Sequence, residues 1–176
     1  MIHFIHPFAL DKDLGKAYND AVSLLPKTDH VCLMDYDAMF LHHEQIPRLY
    51  EYVKKYPDAL LTAIPSRAHE DCRQRDDPNT NYTGLNMGTH VTRAELYLSD
   101  SGLFTKQING VISGFLMLFP VSWDIRFPEG VGCLGVDNEF SRRVMKAGKK
   151  ILLMESIYIW HTYRLGKDVK DTTHLR

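Results

Sequence analysis

The chain reads as an α/β domain, a single mostly parallel sheet flanked by helices. Three observations predict it. The run Val31-Cys32-Leu33-Met34 is apolar without alternation, as in a strand covered on both faces, and it leads directly into Asp35-Tyr36-Asp37. Apolar runs of strand length alternate with segments of helical periodicity along the chain. A length of 176 residues favours one domain with a sizeable core, here taken as residues 1–176.

The elements follow in order. Ile2 to Phe8 is a first strand with Pro7 near its end. Asp13 is placed to cap a helix carrying Leu14, Ala17, Tyr18, Ala21, Val22 and Leu25, which Pro26 stops. His30 to Met34 is the second strand. Pro47 suits a first helical turn, and Ile46, Leu49, Tyr50 and Val53 supply its apolar face. Ala59 to Ile64 is the third strand. Ser66 to Met87 is polar and irregular, and such a stretch inside a compact domain reads as a mobile active-site loop. One helix around Val91, Ala94 and Leu98 follows. Val111 to Phe119 reads as a strand interrupted by Gly114, where a glycine marks a bulge or a close backbone approach. After a loop from Arg126 to Leu134, Asp137 stands at a helix N-cap, and Gly148 ends that helix. Ile151 to Met154 is the last buried strand, continued by Ser156 to Trp160.

Composition narrows the function classes. The formal net charge is −1, so no basic field draws the chain to nucleic acid or an anionic membrane. Three distant cysteines, Cys32, Cys72 and Cys133, argue against a disulfide framework and for a reducing, cytoplasmic compartment. No signal peptide and no apolar run of membrane-spanning length is expected.

Asp35 and Asp37 close a buried strand, at the sheet end where α/β proteins bind ligands. On an extended chain, residues i and i+2 point to one side, so both carboxylates would face one ligand. Hard cations such as Mg²⁺ or Mn²⁺ prefer oxygen ligands and bridge carboxylates to phosphates. His161, after Tyr158-Ile159-Trp160, supplies a nitrogen ligand if it converges on the same edge; otherwise it is an ordinary interfacial histidine. Asp137 in Gly135-Val136-Asp137-Asn138-Glu139-Phe140 is either a helix cap alone or also a general base, weakened because capping depresses a carboxylate's pKa. His42 and His43 are a surface pair, since neighbouring side chains diverge, although His42 with Asp35, Asp37 and His161 permits a hydrolase site.

With these segments in this order, the chain resembles the A-type-fold nucleotide-diphospho-sugar glycosyltransferases, near family 2 and similar to small single-domain enzymes of phage and microbial genomes. The resemblance spans about residues 2–165. Ile5-His6-Pro7-Phe8 resembles the first strand and its loop beside the base, and Leu14-Gly15-Lys16-Ala17-Tyr18-Asn19 the helix bearing an Asn near the donor. Asp35-Tyr36-Asp37 matches the metal and nucleotide motif, and Gly114 to Phe119 the acceptor-side strand. Asp137-Asn138-Glu139-Phe140 resembles the catalytic acidic segment, with Val136 where the family carries Glu.

The resemblance implies a hexosyl- or pentosyltransferase using a UDP- or GDP-linked donor and Mn²⁺ or Mg²⁺. Its acceptor is a glycan, a protein or a modified nucleobase, and a phage-encoded enzyme would work in host cytoplasm. It makes Pro7, Phe8, Lys16, Asn19, Asp35, Asp37 and Gly114 donor-site residues. Asp35, Asp37 and His161 become metal ligands, and Asp137 the base of an inverting transfer. The family's strand between the first strand and the Asn helix is missing here, which truncates the nucleotide-binding half. Arg164 or Lys16 would face the diphosphate, and Arg67, Arg73 and Arg75 would sit on the closing loop. Two other classes stay open: a metal-dependent hydrolase of a phosphorylated substrate, and a non-catalytic sugar-nucleotide binding module.

Overall fold

The computed structural model describes residues 1–67, 73–74, 86–99 and 102–162. In chain order its elements are β1 (Ile2–Ile5), α1 (Leu14–Ser23), β2 (His30–Met34), β3 (Ala38–Met39), α2 (Gln45–Lys55) and β4 (Ala59–Pro65). They continue with α3 (Met87–Ser99), β5 (Thr105–Gln107), β6 (Leu116–Pro120), α4 (Val136–Lys146) and β7 (Lys150–His161). The strands form one seven-stranded sheet in the order β1-β2-β6-β4-β7-β3, with β5 also paired to β7.

The sheet is mixed rather than mostly parallel. β1/β2 and β4/β7 are parallel, whereas β2/β6, β4/β6, β3/β7 and β5/β7 are antiparallel. The apolar runs predict burial on both faces correctly, but burial does not distinguish a parallel neighbour from an antiparallel one. Inserting β6 between β2 and β4 reverses the direction there. The strand expected from Val111 is also shorter. It starts only at Leu116, and Gly114 lies in the turn before it.

Alternation explains why β2 and β6 are apolar from Val31 to Met34 and from Leu116 to Phe119. Val31 and Leu33 of β2, and Met117 and Phe119 of β6, enter one core with residues of α1, α3 and α4. Cys32, Met34, Leu116 and Leu118 enter the other with Leu49 and Tyr52 of α2. Neither face reaches water, so no polar alternation is needed.

The long strand β7 carries two ladders. Ala59–Thr62 pair with Lys150–Leu153, and the register then shifts so that Ile64 and Pro65 meet Tyr158 and Ile159. The first half also takes β5 through Leu152–Met154, and the far end takes β3, with Ala38 opposite His161. This bend delivers His161 beside the turn that follows β2.

Local chemistry sets the helix ends. The Asp13 carboxylate accepts the Lys16 N–H at 3.1 Å and caps α1 as expected. Gly148, at φ +73°, ends α4: its N–H bonds Met145 O and the Lys149 N–H bonds Val144 O, the paired bonds of a Schellman ending. The start of α4 differs from expectation. Gly135, at φ +79°, is the N-cap, and Asp137 lies one residue inside the first turn. A left-handed cap conformation favours glycine, which frees Asp137 from that position. No helix among the described residues is long and apolar enough to cross a membrane.

Candidate metal centre and the carboxylate beside it

The turn after β2 is tight. Ala38 N–H bonds Asp35 O at 3.1 Å, so Asp35-Tyr36-Asp37 is a turn rather than the extended chain the sequence implies. Both carboxylates nevertheless reach one point, because β3 pairs with the end of β7. Thr162 N–H bonds Asp37 O at 3.0 Å and holds that register.

His161 Nε2 lies 3.4 Å from Asp37 Oδ1 and 3.7 Å from Asp35 Oδ2. One ligand atom from each of the three residues falls within 4.8 Å of the others. Exposure is graded: the His161 side chain is 1% exposed, Asp37 22% and Asp35 37%. A ligand would therefore approach from the carboxylate side, with the imidazole as the floor.

The floor is fixed from behind. His161 Nδ1 is 2.9 Å from Arg67 O, and a carbonyl can only accept, so Nδ1 carries the proton. Nε2 is left to face the carboxylates, the arrangement typical of a ligating histidine. Ser66 Oγ accepts the His161 N–H at 3.0 Å and donates to His161 O at 3.1 Å. The Phe115 ring stacks on the imidazole at 5.0 Å. Two carboxylates facing one imidazole favour its cationic form. Burial opposes that charge, but the hydrogen bonds and charges of Asp35 and Asp37 outweigh it and push His161 up to about 9. Burial raises Asp37, and the hydrogen bond and charge of His161 more than reverse this, leaving its carboxyl below the usual range.

Two carboxylate oxygens and an imidazole nitrogen suit Mn²⁺ or Mg²⁺, which accept oxygen ligands, and Mn²⁺ also takes nitrogen. His42 is outside this group. The two rings do not diverge as the sequence implies: His42 stacks on His43 at 4.5 Å, and its Nδ1 accepts the Glu44 N–H.

Asp137 is brought to Gly114. Its Oδ2 accepts the Gly114 N–H at 2.8 Å, and Oδ1 accepts the Asn138 N–H at 2.8 Å. A Cβ built on Gly114 would stand 3.0 Å from Asp137 Cβ, so the close approach expected of this glycine is present. The depressed pKa expected of a cap is not. Burial raises the Asp137 pKa, the Asn138 and Gly114 N–H groups offset only part of that, and the charge of Asp35 adds to the rise. A base with a raised pKa is the stronger base.

The remaining candidates separate. Pro7, Phe8 and Lys16 line one open groove of about 460 Å³ with Asp11 and Asp20, and the Lys16 ammonium is held by Asp20 at 2.5 Å. Asn19 is buried. Its side chain accepts the Phe127 N–H at 2.9 Å and donates to Phe127 O and to Glu129 Oε1, which ties α1 to the following loop. Arg67 is buried, and Arg73 donates to Asn109 O at 3.1 Å. Arg75, Arg164 and most of the 66–87 loop lie outside the described residues.

Sequence reasoning missed Ser66, the Arg67 carbonyl and Phe115 as supports of His161. It also missed Gln74, fully buried, whose Oε1 accepts the Ser113 N–H at 2.7 Å. No local pattern marks these residues, since each acts through a partner remote in the chain. No protein-family model matches this chain, and no curated protein matches it.

Proposed function

We propose that the chain is a metal-dependent glycosyltransferase, moving a sugar from a nucleotide-diphosphate donor to an acceptor hydroxyl with inversion. The observation that carries this reading is the convergence of Asp35, Asp37 and His161 within 4.8 Å, with Asp137 held by the Gly114 N–H next to Phe115, whose carbonyl takes the Asp35 N–H. A cation site next to a separately held carboxylate of raised pKa is what such a transfer requires: one part for the leaving group, one for the attacking hydroxyl.

Asp35, Asp37 and His161 would hold Mn²⁺ or Mg²⁺. When bound, the ion neutralises charge developing on the diphosphate. Asp137 takes the proton from the acceptor hydroxyl as that oxygen attacks the anomeric carbon, while the bond to the diphosphate breaks on the opposite side. The Gly114 N–H keeps the Asp137 carboxylate aimed during the transfer. The groove at Pro7, Phe8 and Lys16 is the proposed nucleotide side. It begins beside the turn, where His6 Nδ1 meets Asp35 O at 3.2 Å.

The test is incubation with a panel of UDP- and GDP-linked sugars and Mn²⁺, following released nucleotide with and without candidate acceptors. Release that depends on acceptor and ceases in excess EDTA is expected. Full activity in EDTA removes the proposal. Mn²⁺-dependent donor binding without any release would make the chain a binding module.

A further inference from the structure

Gln74 is a buried amide in the 66–87 stretch that reaches the segment bearing Gly114. Its Oε1 accepts the Ser113 N–H at 2.7 Å, and its Nε2 donates to Ser113 O at 3.1 Å and to Thr62 Oγ1 at 2.6 Å. A backbone N–H only donates and a carbonyl only accepts, so the amide fits Ser113 one way round. The Thr62 hydroxyl gives its own proton to Leu116 O at 2.8 Å and is therefore an acceptor for Nε2. The preceding residue grips the same segment. Arg73 Nη1 donates to Asn109 O at 3.1 Å, and a Cβ added to Gly110 would stand 2.9 Å from Arg73 Nε.

The grip falls on one particular peptide unit. A peptide is planar, so the Ser113 carbonyl and the Gly114 N–H turn together. Gln74 holds the first, and the second is the donor to Asp137 Oδ2 at 2.8 Å. Gly114 is buried, and a Cβ there would stand 3.0 Å from Asp137 Cβ. The missing Cβ that admits Asp137 also removes a steric restraint on rotation of that peptide. Turned over, the peptide would set its carbonyl oxygen against the carboxylate, acceptor against acceptor. Ser141 does not prevent this. Its Oγ accepts the Ile112 N–H at 3.3 Å and donates to Asp137 O at 2.7 Å, which fixes neighbouring backbone but neither group of the peptide.

The metal side is anchored separately. Phe115 O takes the Asp35 N–H at 3.1 Å, and Leu116 pairs with Met34 in the β2/β6 ladder. A disturbance at Gln74 is therefore felt at Asp137 before it is felt at Asp35.

We propose that Gln74 is a positioning residue for Asp137, holding the Ser113–Gly114 peptide with its N–H toward the carboxylate. This rests on the reading of Asp137 as the base of a sugar transfer. Gln74 acts through one peptide unit, and its own atoms stay behind the site.

Gln74→Met keeps an unbranched side chain and removes the amide. Gln74→Asn, an amide one methylene shorter and unable to span Ser113 and Thr62 together, is the second variant and carries the same expectations should the first not fold. Both are tested in the full chain. The first readout needs no substrate: in proton–nitrogen NMR spectra the Gly114 amide should follow the titration of Asp137 in the wild type and cease to follow it in the variant. Mn²⁺ affinity should stay within about twofold, while kcat for transfer falls roughly 10- to 100-fold with KM nearly unchanged. The Gly114 N–H lowers the Asp137 pKa, so its withdrawal should move the acid limb of the kcat/KM profile to higher pH. In an Asp137→Asn background the same substitution at Gln74 should cost little further activity, because the two residues act as a unit. A Gly114 amide that still follows Asp137 in the variant, an unchanged kcat, or an equal loss with and without the Asp137 carboxylate overturns the assignment of Gln74 and leaves the transferase reading standing. A wild-type chain that transfers from no nucleotide sugar removes that reading, and the Gly114 amide then decides alone whether Gln74 orients Asp137.

Discussion

The two ends of β2 each place a histidine against acidic side chains, and they differ in how the charge closes. Before the strand, one carboxylate, Asp29, meets His3 Nε2 at 2.7 Å and the Met1 ammonium at 3.1 Å. The Thr28 hydroxyl also lies 3.3 Å from it. Those hydrogen bonds, from His3 and then the ammonium, hold Asp29 below the usual carboxylate range. After the strand the ratio is inverted, with two carboxylates, Asp35 and Asp37, on one imidazole. The first cluster satisfies itself. The second carries negative charge in excess even when His161 is protonated. Histidine–carboxylate contact is common to both ends; unbalanced charge on a fixed floor is what distinguishes the second.

The largest expected effect tests whether the acidic end does chemistry. Asp137→Asn keeps an oxygen for the Gly114 N–H but removes the proposed base. Transfer should fall roughly 10²- to 10⁴-fold, with Mn²⁺ affinity unchanged by calorimetry. Transfer at the wild-type rate would reduce Asp137 to a brace for Gly114. Next, Asp37→Ala should weaken Mn²⁺ binding by at least about 100-fold, more than loss of an outer support. Asp29→Asn, at the self-satisfied end, should leave Mn²⁺ binding untouched. Equal effects from the two substitutions would erase the distinction between the ends.

Proton linkage comes third. In metal-free protein the facing carboxylates of Asp35 and Asp37 push His161 up to about 9 from an ordinary value of 6.5. The raised value means that its stabilisation is complete below about pH 6.5 and is lost as pH rises through about 9, on the order of 3 kcal/mol. Thermal melts of the EDTA-treated chain from pH 6 to 10 read this directly. Since a ligating imidazole must be neutral, Mn²⁺ binding at pH 7.5 should release about one proton, measurable by calorimetry in buffers of different ionisation enthalpy. No proton release would place the ion away from His161. The smallest effect is at the support: Ser66→Ala should lower Mn²⁺ affinity about tenfold while transfer at saturating Mn²⁺ recovers.

Legibility in the sequence followed the range of the forces. The strand His30–Met34 and the cap at Asp13 were readable because apolar runs and capping act over a few residues. Gly148 was readable for the same reason. The two-residue β3 and the three-residue β5 carry no periodicity, and both exist only because β7 offers them an edge. Strand direction was misjudged at β6 because burial is blind to polarity. Within the site, the identities of Asp35, Asp37, Asp137 and His161 were visible as chemistry-bearing types at strand or helix ends. Their convergence depends on the Ala38–His161 pairing, set by contacts more than a hundred residues apart. Asn19 shows a partner that residue type does not announce: its side chain is engaged with Phe127 and Glu129, more than a hundred residues away.

The segment Ser113-Gly114-Phe115 serves the whole site through atoms that nearly every amino acid possesses. The Ser113 N–H holds Gln74, the Gly114 N–H holds Asp137, and Phe115 O takes the Asp35 N–H at 3.1 Å. Only the missing Cβ of Gly114 and the ring of Phe115 depend on side-chain identity. At position 113 the bond to Gln74 needs only the backbone N–H, which proline alone lacks. Descendants of this chain can diverge in letters here while keeping the same wiring, so shared ancestry would outlast its textual trace. A search for kindred chains is better guided by the spacing between a turn-borne acid pair, a glycine and a terminal histidine than by similarity along the stretch that joins them.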